Sequence, residues 1–86
     1  MRLDKFLSAA RIFKSRTLAE EAISASMVHV DGLTAKSSKE IKPGSVIEID
    51  TFDFYKKIKV VQIPPKNLPG NKAHTLYMIL QERSKI

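Results

Sequence analysis

The side chains best suited to chemistry in this sequence are cations gathered near its N-terminus. Residues 1–16 hold five lysines and arginines against one acidic residue, Asp4. Lys14 and Arg16 flank Ser15 where a second helix is predicted to begin, and free backbone N–H groups at a helix start favour an anion. An arginine can pair two donors with one phosphate or stack on a base. The segment therefore predicts a phosphate-binding surface that comprises Arg2, Lys5, Arg11, Lys14, Ser15 and Arg16.

Catalytic groups do not occur in any recognisable arrangement. The two histidines, His29 and His74, lie far apart, and there is no cysteine, metal-ligand spacing, glycine-rich phosphate loop or nucleophile-elbow motif. The sequence therefore predicts a binding protein rather than an enzyme, with no catalytic residue, metal or cofactor. The charge balance agrees, because 15 Lys and Arg against 9 Asp and Glu give a net charge of +6, which favours a polyanionic partner.

The length of 86 residues allows one small domain, over residues 1–86. A chain with 43% hydrophobic and 28% charged residues is expected to fold into a globular structure. It contains no apolar run long enough to cross a membrane, and its first residues, Met-Arg-Leu-Asp, do not resemble a signal peptide. The lack of cysteine is compatible with a reducing compartment, and we expect the cytoplasm.

Two short helices are predicted to position the N-terminal cations. A stripe of apolar residues at helical spacing predicts a helix over residues 2–13, through Leu3, Phe6, Leu7 and Ala10. A second helix is predicted over residues 16–25, and either Ser15 or Thr17 can cap its start. Asp4 is expected to orient Arg11 or Arg16, or simply to favour the start of the first helix.

A β-hairpin is predicted after the helices, because the apolar period changes from 3.6 to 2. Asp31-Gly32 lies between alternating apolar residues and suits a tight turn in which both positions need a positive φ, so Gly32 has a structural role. The pairing sends four side chains to the inner face, Val28, Val30, Leu33 and Ala35. His29 and Thr34 lie on the other face, where His29 can meet a base or a phosphate or remain merely solvated.

The remaining residues are predicted to extend this hairpin into a small, mostly antiparallel sheet. Strands are expected over residues 46–49 and 55–63, followed by a loop over 64–72. Residues 73–82 fit either a helix or a strand, and we expect a short helix. Three aromatic residues nearby are expected to pack rather than to form a stacking platform, namely Phe52, Phe54 and Tyr55. The predicted class is α+β, with two helices, a hairpin, a small sheet and a short C-terminal segment.

Several separated motifs resemble an S4-type RNA-binding domain over about residues 1–50, with residues 51–86 completing the domain. They are residues 1–7, Arg11, residues 14–19, residues 28–32, Lys36, Lys42-Pro43-Gly44 and Ile47. The short chain is similar to the stand-alone bacterial S4 proteins of the RqcP and heat-shock protein 15 family. The resemblance implies that Lys36 also faces RNA, with His29 and Thr34 on the outer face of the hairpin.

Members of this family bind large ribosomal subunits that carry an obstructed nascent chain on tRNA. The resemblance therefore implies contacts with 23S rRNA and with the P-site tRNA, and support for C-terminal tailing of the nascent chain without mRNA. The tailing factor RqcH is a further implied partner. DNA and membranes are not expected as partners, and the chain is expected to be a monomer.

The sequence departs from the family pattern at the hairpin. Ser26-Met27 stands where relatives commonly have glycine followed by a basic residue, and Leu33 takes a position that is often basic. We therefore expect the helices to matter more than the hairpin for RNA binding. Two alternatives remain open, a general chaperone or assembly factor for structured RNA, and a protein–protein module that docks through residues 73–86.

Overall fold

Two short helices pack on one face of a five-stranded antiparallel sheet in the computed structural model, which describes residues 1–86. The elements in chain order are α1 (Leu3–Ala9), α2 (Arg16–Ser24), β1 (Val28–Val30), β2 (Leu33–Thr34), β3 (Val46–Asp50), β4 (Phe54–Val60), a 3₁₀ helix (Gly70–Leu76) and β5 (Tyr77–Ser84). The strands are arranged β2-β1-β3-β4-β5, and every neighbouring pair is antiparallel. The predicted α+β class is confirmed.

Both helices end in the same hydrogen-bond pattern. The N–H of Ile12 donates to Leu7 O at 3.1 Å and the N–H of Arg11 donates to Ser8 O at 3.0 Å, while Arg11 has a φ of 59°. This is a Schellman motif, whose left-handed residue is usually glycine. It terminates α1 at Ala9, so the helix predicted to continue to residue 13 is shorter than expected.

The same motif ends α2. Met27 donates to Ala22 O and Ser26 donates to Ile23 O, each at 3.0 Å, and Ser26 has a φ of 61°. Ser26 therefore keeps the left-handed backbone that the family's glycine would adopt, at a conformational cost of roughly 1 kcal/mol. The chain consequently enters β1 in the expected place, and the predicted boundaries of the second helix are correct to within one residue.

The hairpin has the predicted register, with His29 opposite Thr34 and Val30 opposite Leu33. Asp31 and Gly32 have φ values of 52° and 85°, as a two-residue turn of this type requires. The prediction that Leu33 packs inward is wrong, because its side chain is 74% exposed. It lies on β2, a two-residue strand at the edge of the sheet, so no further strand flanks it.

The C-terminal segment is a strand and not the helix that we predicted. Residues 70–76 form the 3₁₀ helix, and β5 then pairs with β4 along its length, with one irregularity between Lys57 and Ile58. β4 otherwise presents an edge of unpaired N–H and C=O groups, and β5 satisfies them. The predicted strand over residues 55–63 is shorter than expected and ends at Val60.

One hydrophobic cluster joins the helices to the inner face of the sheet. It includes Leu3, Phe6, Leu7, Ala19, Ile23, Val28, Val30, Ile41, Ile47, Ile49, Ile58, Val60 and Leu76. The helices are therefore held firmly on the sheet, and this packing fixes the positions of the backbone that carries the polar side chains around α1 and α2. Neither helix has the length and apolar character needed to span a membrane.

Candidate nucleic-acid interface

A buried carboxylate holds one arginine beside each helix. The Asp4 side chain is fully buried, and its Oδ1 accepts from the backbone N–H of Lys5 at 2.7 Å and from Arg2 Nε at 3.2 Å. Its Oδ2 accepts from Arg16 Nε at 3.1 Å and from Arg2 Nη2 at 3.3 Å. Arg11 does not contact Asp4, so the structure assigns to Arg16 the partnership that the sequence left open and adds Arg2 to it.

Asp4 remains ionised at neutral pH despite its burial. Burial raises the pKa of Asp4, but hydrogen bonds from Arg2, Arg16 and the Lys5 N–H, with the charge of Arg16, hold it below its ordinary value. The two arginine side chains are 50% and 46% exposed. The three side chains thus form a solvent-facing cationic group with one net positive charge, in which the anion is hidden from any ligand.

This arrangement leaves donors free for a phosphate. Arg16 uses only its Nε toward Asp4 and toward Glu20, which lies 3.5 Å away on the same helix. Both Nη groups of Arg16 can therefore pair with phosphate oxygens, and charge-assisted pairs of this kind are the strong ones. Because Asp4 orients the guanidinium beforehand, less side-chain freedom is lost on binding.

The cap of α2 is Ser15 and not Thr17, which lies within the helix. Ser15 Oγ accepts from the backbone N–H of Leu18 at 3.2 Å, which fixes the start of the helix between Lys14 and Arg16. The hydroxyl hydrogen of Ser15 remains available as a donor. Ser15 therefore positions its neighbours and can still contribute to an anion contact.

The connector between β2 and β3 adds cations beside the first turn of α1. Ser37 O accepts from the N–H of Asp4 at 3.3 Å, and Lys39 O accepts from the N–H of Leu3 at 2.9 Å. Lys36 and Lys39 are therefore brought next to Asp4, Arg2 and Arg16, which are called the Asp4 group below. Lys39 was not among the predicted site residues, since only its charge in a polar connector could have indicated it.

A basic cleft lies on the other side of α1. It has a volume of about 480 Å³ between α1 and the loop that precedes the 3₁₀ helix. Its cations are Lys5, Arg11, Lys14 and Lys66, and no carboxylate lines it. Lys66 was also missed from sequence, because it lies far along the chain from the other three and only the tertiary fold brings it to α1.

The "helical surface" is defined here as the Asp4 group together with this cleft and Lys36. The structure gathers on it Arg2, Lys5, Arg11, Lys14, Ser15, Arg16 and Lys36. His29 lies on the sheet face away from the helices, and its cross-strand partner Thr34 borders a shallow concavity that Lys36 also lines. Seven of the nine predicted RNA-binding residues therefore lie around α1, the start of α2 and the connector between β2 and β3.

The "outer sheet face" is the sheet face that the helices do not cover. His29 lies opposite Glu48, and Glu48 lies opposite Lys57. The Tyr55 hydroxyl donates to Glu48 Oε2 at 2.6 Å, and Arg83 lies over the Tyr55 ring at 4.9 Å from its centroid. The hydrogen bond to Glu48 raises the pKa of Tyr55, and burial adds to the effect. Cations here thus have anionic and aromatic neighbours within the protein.

The three aromatic residues after β3 do not form one platform. Phe52 is 86% exposed, Phe54 packs against Phe13 with ring centroids 6.4 Å apart, and Tyr55 lies on the outer sheet face. Phe54 and Tyr55 separate because consecutive strand residues point to opposite faces. Packing therefore accounts for Phe54 and Tyr55, as predicted, whereas the prediction that Phe52 packs is wrong.

Comparisons with known proteins agree on one family. Residues 1–47 match the S4 domain model. The chain is 38% identical over 84 residues to the RQC P-site tRNA stabilizing factor of Bacillus subtilis, covering 95% of this chain and 94% of that protein. It is 32% identical to the heat shock protein 15 homolog of Aeromonas salmonicida, covering 90% of this chain and 58% of that longer protein.

A solved structure agrees in fold. The trimeric structure of heat shock protein 15 from Vibrio cholerae superimposes with a TM-score of 0.81 at 35% identity, covering 92% of this chain and 80% of that one. The resemblance that the N-terminal motifs indicated is thus supported by a family model, by whole-chain relatives and by architecture. The chain belongs to the S4 domain family of RNA-binding proteins, in the group that contains the RQC P-site tRNA stabilizing factors and heat shock protein 15.

Proposed function

We propose that this protein binds ribosomal RNA and peptidyl-tRNA on obstructed large ribosomal subunits and stabilises the P-site tRNA. The observation that carries the proposal is the pair of half-exposed arginines, Arg2 and Arg16, ordered by the buried Asp4. The name of the Bacillus subtilis relative, a P-site tRNA stabilizing factor, supports the same role. In this role the protein supports C-terminal tailing without mRNA, with 23S rRNA, tRNA and RqcH as partners in the cytoplasm.

The mechanism is electrostatic and positional rather than catalytic. Phosphate contacts supply affinity and set the orientation of a protein on a nucleic acid. The helical surface offers cations from two helices and a connector held on one rigid core, so several phosphates on separate RNA segments can be held at a fixed spacing. A tRNA bridged to ribosomal RNA in this way loses freedom to dissociate.

We propose that a monomer performs this role. Asp4, its two arginines and the basic cleft all belong to a single chain, so the surface is complete without a second copy. The Vibrio cholerae structure is described as trimeric, so light scattering on the purified protein is the direct measurement of this point.

Sedimentation of the tagged protein through a sucrose gradient tests the proposal. We expect the wild type to migrate with large subunits that carry peptidyl-tRNA, and an Arg2→Gln/Arg16→Gln variant to remain at the top. Glutamine keeps a donor for Asp4 but not the positive charge, so the variant should be less stable, and circular dichroism must show that it is folded under the conditions of the gradient. The matched control is Lys57→Gln/Lys59→Gln, which removes two cations from the sheet and is expected to sediment like the wild type.

The opposite results would contradict the proposal. Wild-type protein spread over free RNA, or found on small subunits, would favour the general structured-RNA chaperone. Excess bulk tRNA should displace such a chaperone, whereas a ribosome factor should stay bound. Deleting residues 73–86 does not test the protein–protein alternative by itself, because the deletion would also expose the β4 edge and disturb the sheet.

A further inference from the structure

We propose that the basic cleft between α1 and the loop over residues 64–70 receives one unpaired nucleotide, extruded from a folded RNA. Its phosphate would lie among the four cations of the cleft, and its base would rest against the proline and aliphatic wall. This inference rests on the proposed function and adds to it a specific RNA feature, a bulged or looped-out nucleotide. It also gives the residues after the hairpin a part in RNA recognition.

The first argument is uncompensated charge. Lys5, Arg11, Lys14 and Lys66 line the cleft, and none of them forms an ion pair within the protein. By contrast, Arg2 and Arg16 share Asp4. Four unpaired cations around one concavity repel each other, so an anion held among them is favoured. A phosphate satisfies this requirement.

The second argument is size and lining. A volume of about 480 Å³ falls within the range of roughly 300–1,000 Å³ of small-ligand sites. A duplex cannot enter such a space, whereas an unstacked nucleotide can, and unstacked bases in loops and bulges are the usual targets of sequence-specific RNA recognition. Pro64, Pro65 and Leu68 provide a non-polar wall for the base opposite the polar side of α1.

The third argument is the way Arg11 is held. Arg11 adopts the left-handed backbone that ends α1, where glycine would avoid the strain. Its Nη2 lies 2.6 Å from the point that a Cβ on residue 70 would occupy, so a side chain at position 70 would push the guanidinium aside. The end of α1 and the loop thus fit together through one arginine, at a cost in backbone strain.

The test compares two RNAs, a perfect hairpin and the same hairpin with one bulged adenosine, by fluorescence anisotropy with the full chain. We expect the wild type to bind the bulged RNA about tenfold more tightly, which corresponds to about 1.4 kcal/mol. Lys66→Ala should abolish this preference, because it removes a cation of the cleft, and Gly70→Ala should reduce it, because the added methyl shifts the Arg11 guanidinium. Lys72→Ala, which removes a charge outside the cleft, should retain it.

The outcomes separate this inference from the proposed function. Equal affinity of the wild type for the two RNAs would overturn the cleft proposal while leaving RNA binding intact. Equal loss of the preference in Lys66→Ala and Lys72→Ala would also overturn it, because net charge alone would then explain the effect. Arg2→Gln/Arg16→Gln should weaken binding to both RNAs and keep their ratio. No binding of the wild type to either RNA, together with its absence from large subunits, would contradict the proposed function itself.

Discussion

On the helical surface two of the five cations from residues 1–16 share a buried carboxylate and the other three line a cleft without one. On the outer sheet face, by contrast, cations alternate with acidic and aromatic side chains. Asp4 is buried beneath Arg2 and Arg16, so an approaching ligand meets the two guanidinium groups rather than this carboxylate, and Glu20 is the exposed acid beside Arg16. Glu48 lies between His29 and Lys57 in the cross-strand register and remains at the surface. From this difference we expect that placement relative to acids, and not the number of cations, decides which surface attracts a polyanion.

The position of each carboxylate has a physical consequence. A buried carboxylate without partners would be very costly, so Asp4 and its arginines depend on each other. Glu48 is half-buried and its partners are near solvent, where ion pairs contribute little. The two surfaces should therefore respond very differently to the loss of one acid.

The largest expected effect follows removal of the buried charge. Asp4→Asn should lower the free energy of unfolding by about 2–3 kcal/mol, less than a fully buried pair would lose because the arginines are half exposed. It should also weaken RNA binding although the net charge rises by one, since Arg2 and Arg16 lose their orientation. Urea denaturation and RNA titration measure the two effects.

The matched change on the other surface is Glu48→Gln. This substitution should lower the free energy of unfolding by no more than about 1 kcal/mol, the net value of one hydrogen bond. It should leave RNA affinity unchanged. If both variants lost stability equally, or if Asp4→Asn bound RNA more tightly, the distinction between the two surfaces would be wrong.

The stabilisation by Asp4 should depend on pH in the acid range. The pKa of Asp4 is lowered in the folded protein, so its contribution is present above the unfolded value of about 3.9 and is lost as pH falls through the folded pKa. The difference in unfolding free energy between wild type and Asp4→Asn should thus be constant near neutrality and shrink below about pH 4. A difference that stayed constant down to the lowest pH would contradict this assignment.

Salt dependence of RNA binding provides a smaller, residue-specific effect. With about five phosphate contacts, the slope of log K against log salt should be roughly −3.5 to −4.5. Lys5→Ala should reduce its magnitude by about 0.7–0.9, the contribution of one contact, and Lys57→Ala should leave it unchanged. Equal reductions in the two variants would indicate that the outer sheet face also binds RNA.

The smallest effect concerns a titration on the outer sheet face. The hydrogen bond from Tyr55 to Glu48 raises the tyrosine pKa, so Glu48→Gln should move the Tyr55 pKa back toward its ordinary value. Absorbance titration in a Tyr77→Phe background isolates this group from the second tyrosine. An unchanged pKa would mean that Glu48 and Tyr55 are not paired in solution.

Local signals predicted the N-terminal half of the fold well. Ser15 caps α2, and the Asp31-Gly32 turn sets the hairpin register, because each depends on neighbouring residues alone. The extent of α1 was misjudged, since a left-handed arginine is rarely a stop signal. Leu33 was misplaced because alternation gives the face of a strand and not whether another element covers it.

The C-terminal segment shows where local signals are insufficient. Residues 77–80 are compatible with a helix or a strand, and the open edge of β4 selects the strand through long-range pairing. The same limit applies to the site. The sequence located the positive charge, but the partners of Asp4 and the approach of Lys66 to α1 required the folded chain.

The sequence by itself determined the charge near the N-terminus, the two helices, the hairpin turn and the S4 domain motifs, because these depend on residue type and short spacing. Tertiary structure decided which cations are neutralised and which remain free, and it built a cleft from α1 and a distant loop. The physical reason is that electrostatic and packing interactions depend on distances in space. Residues far apart in the chain come within these distances only after the sheet has assembled.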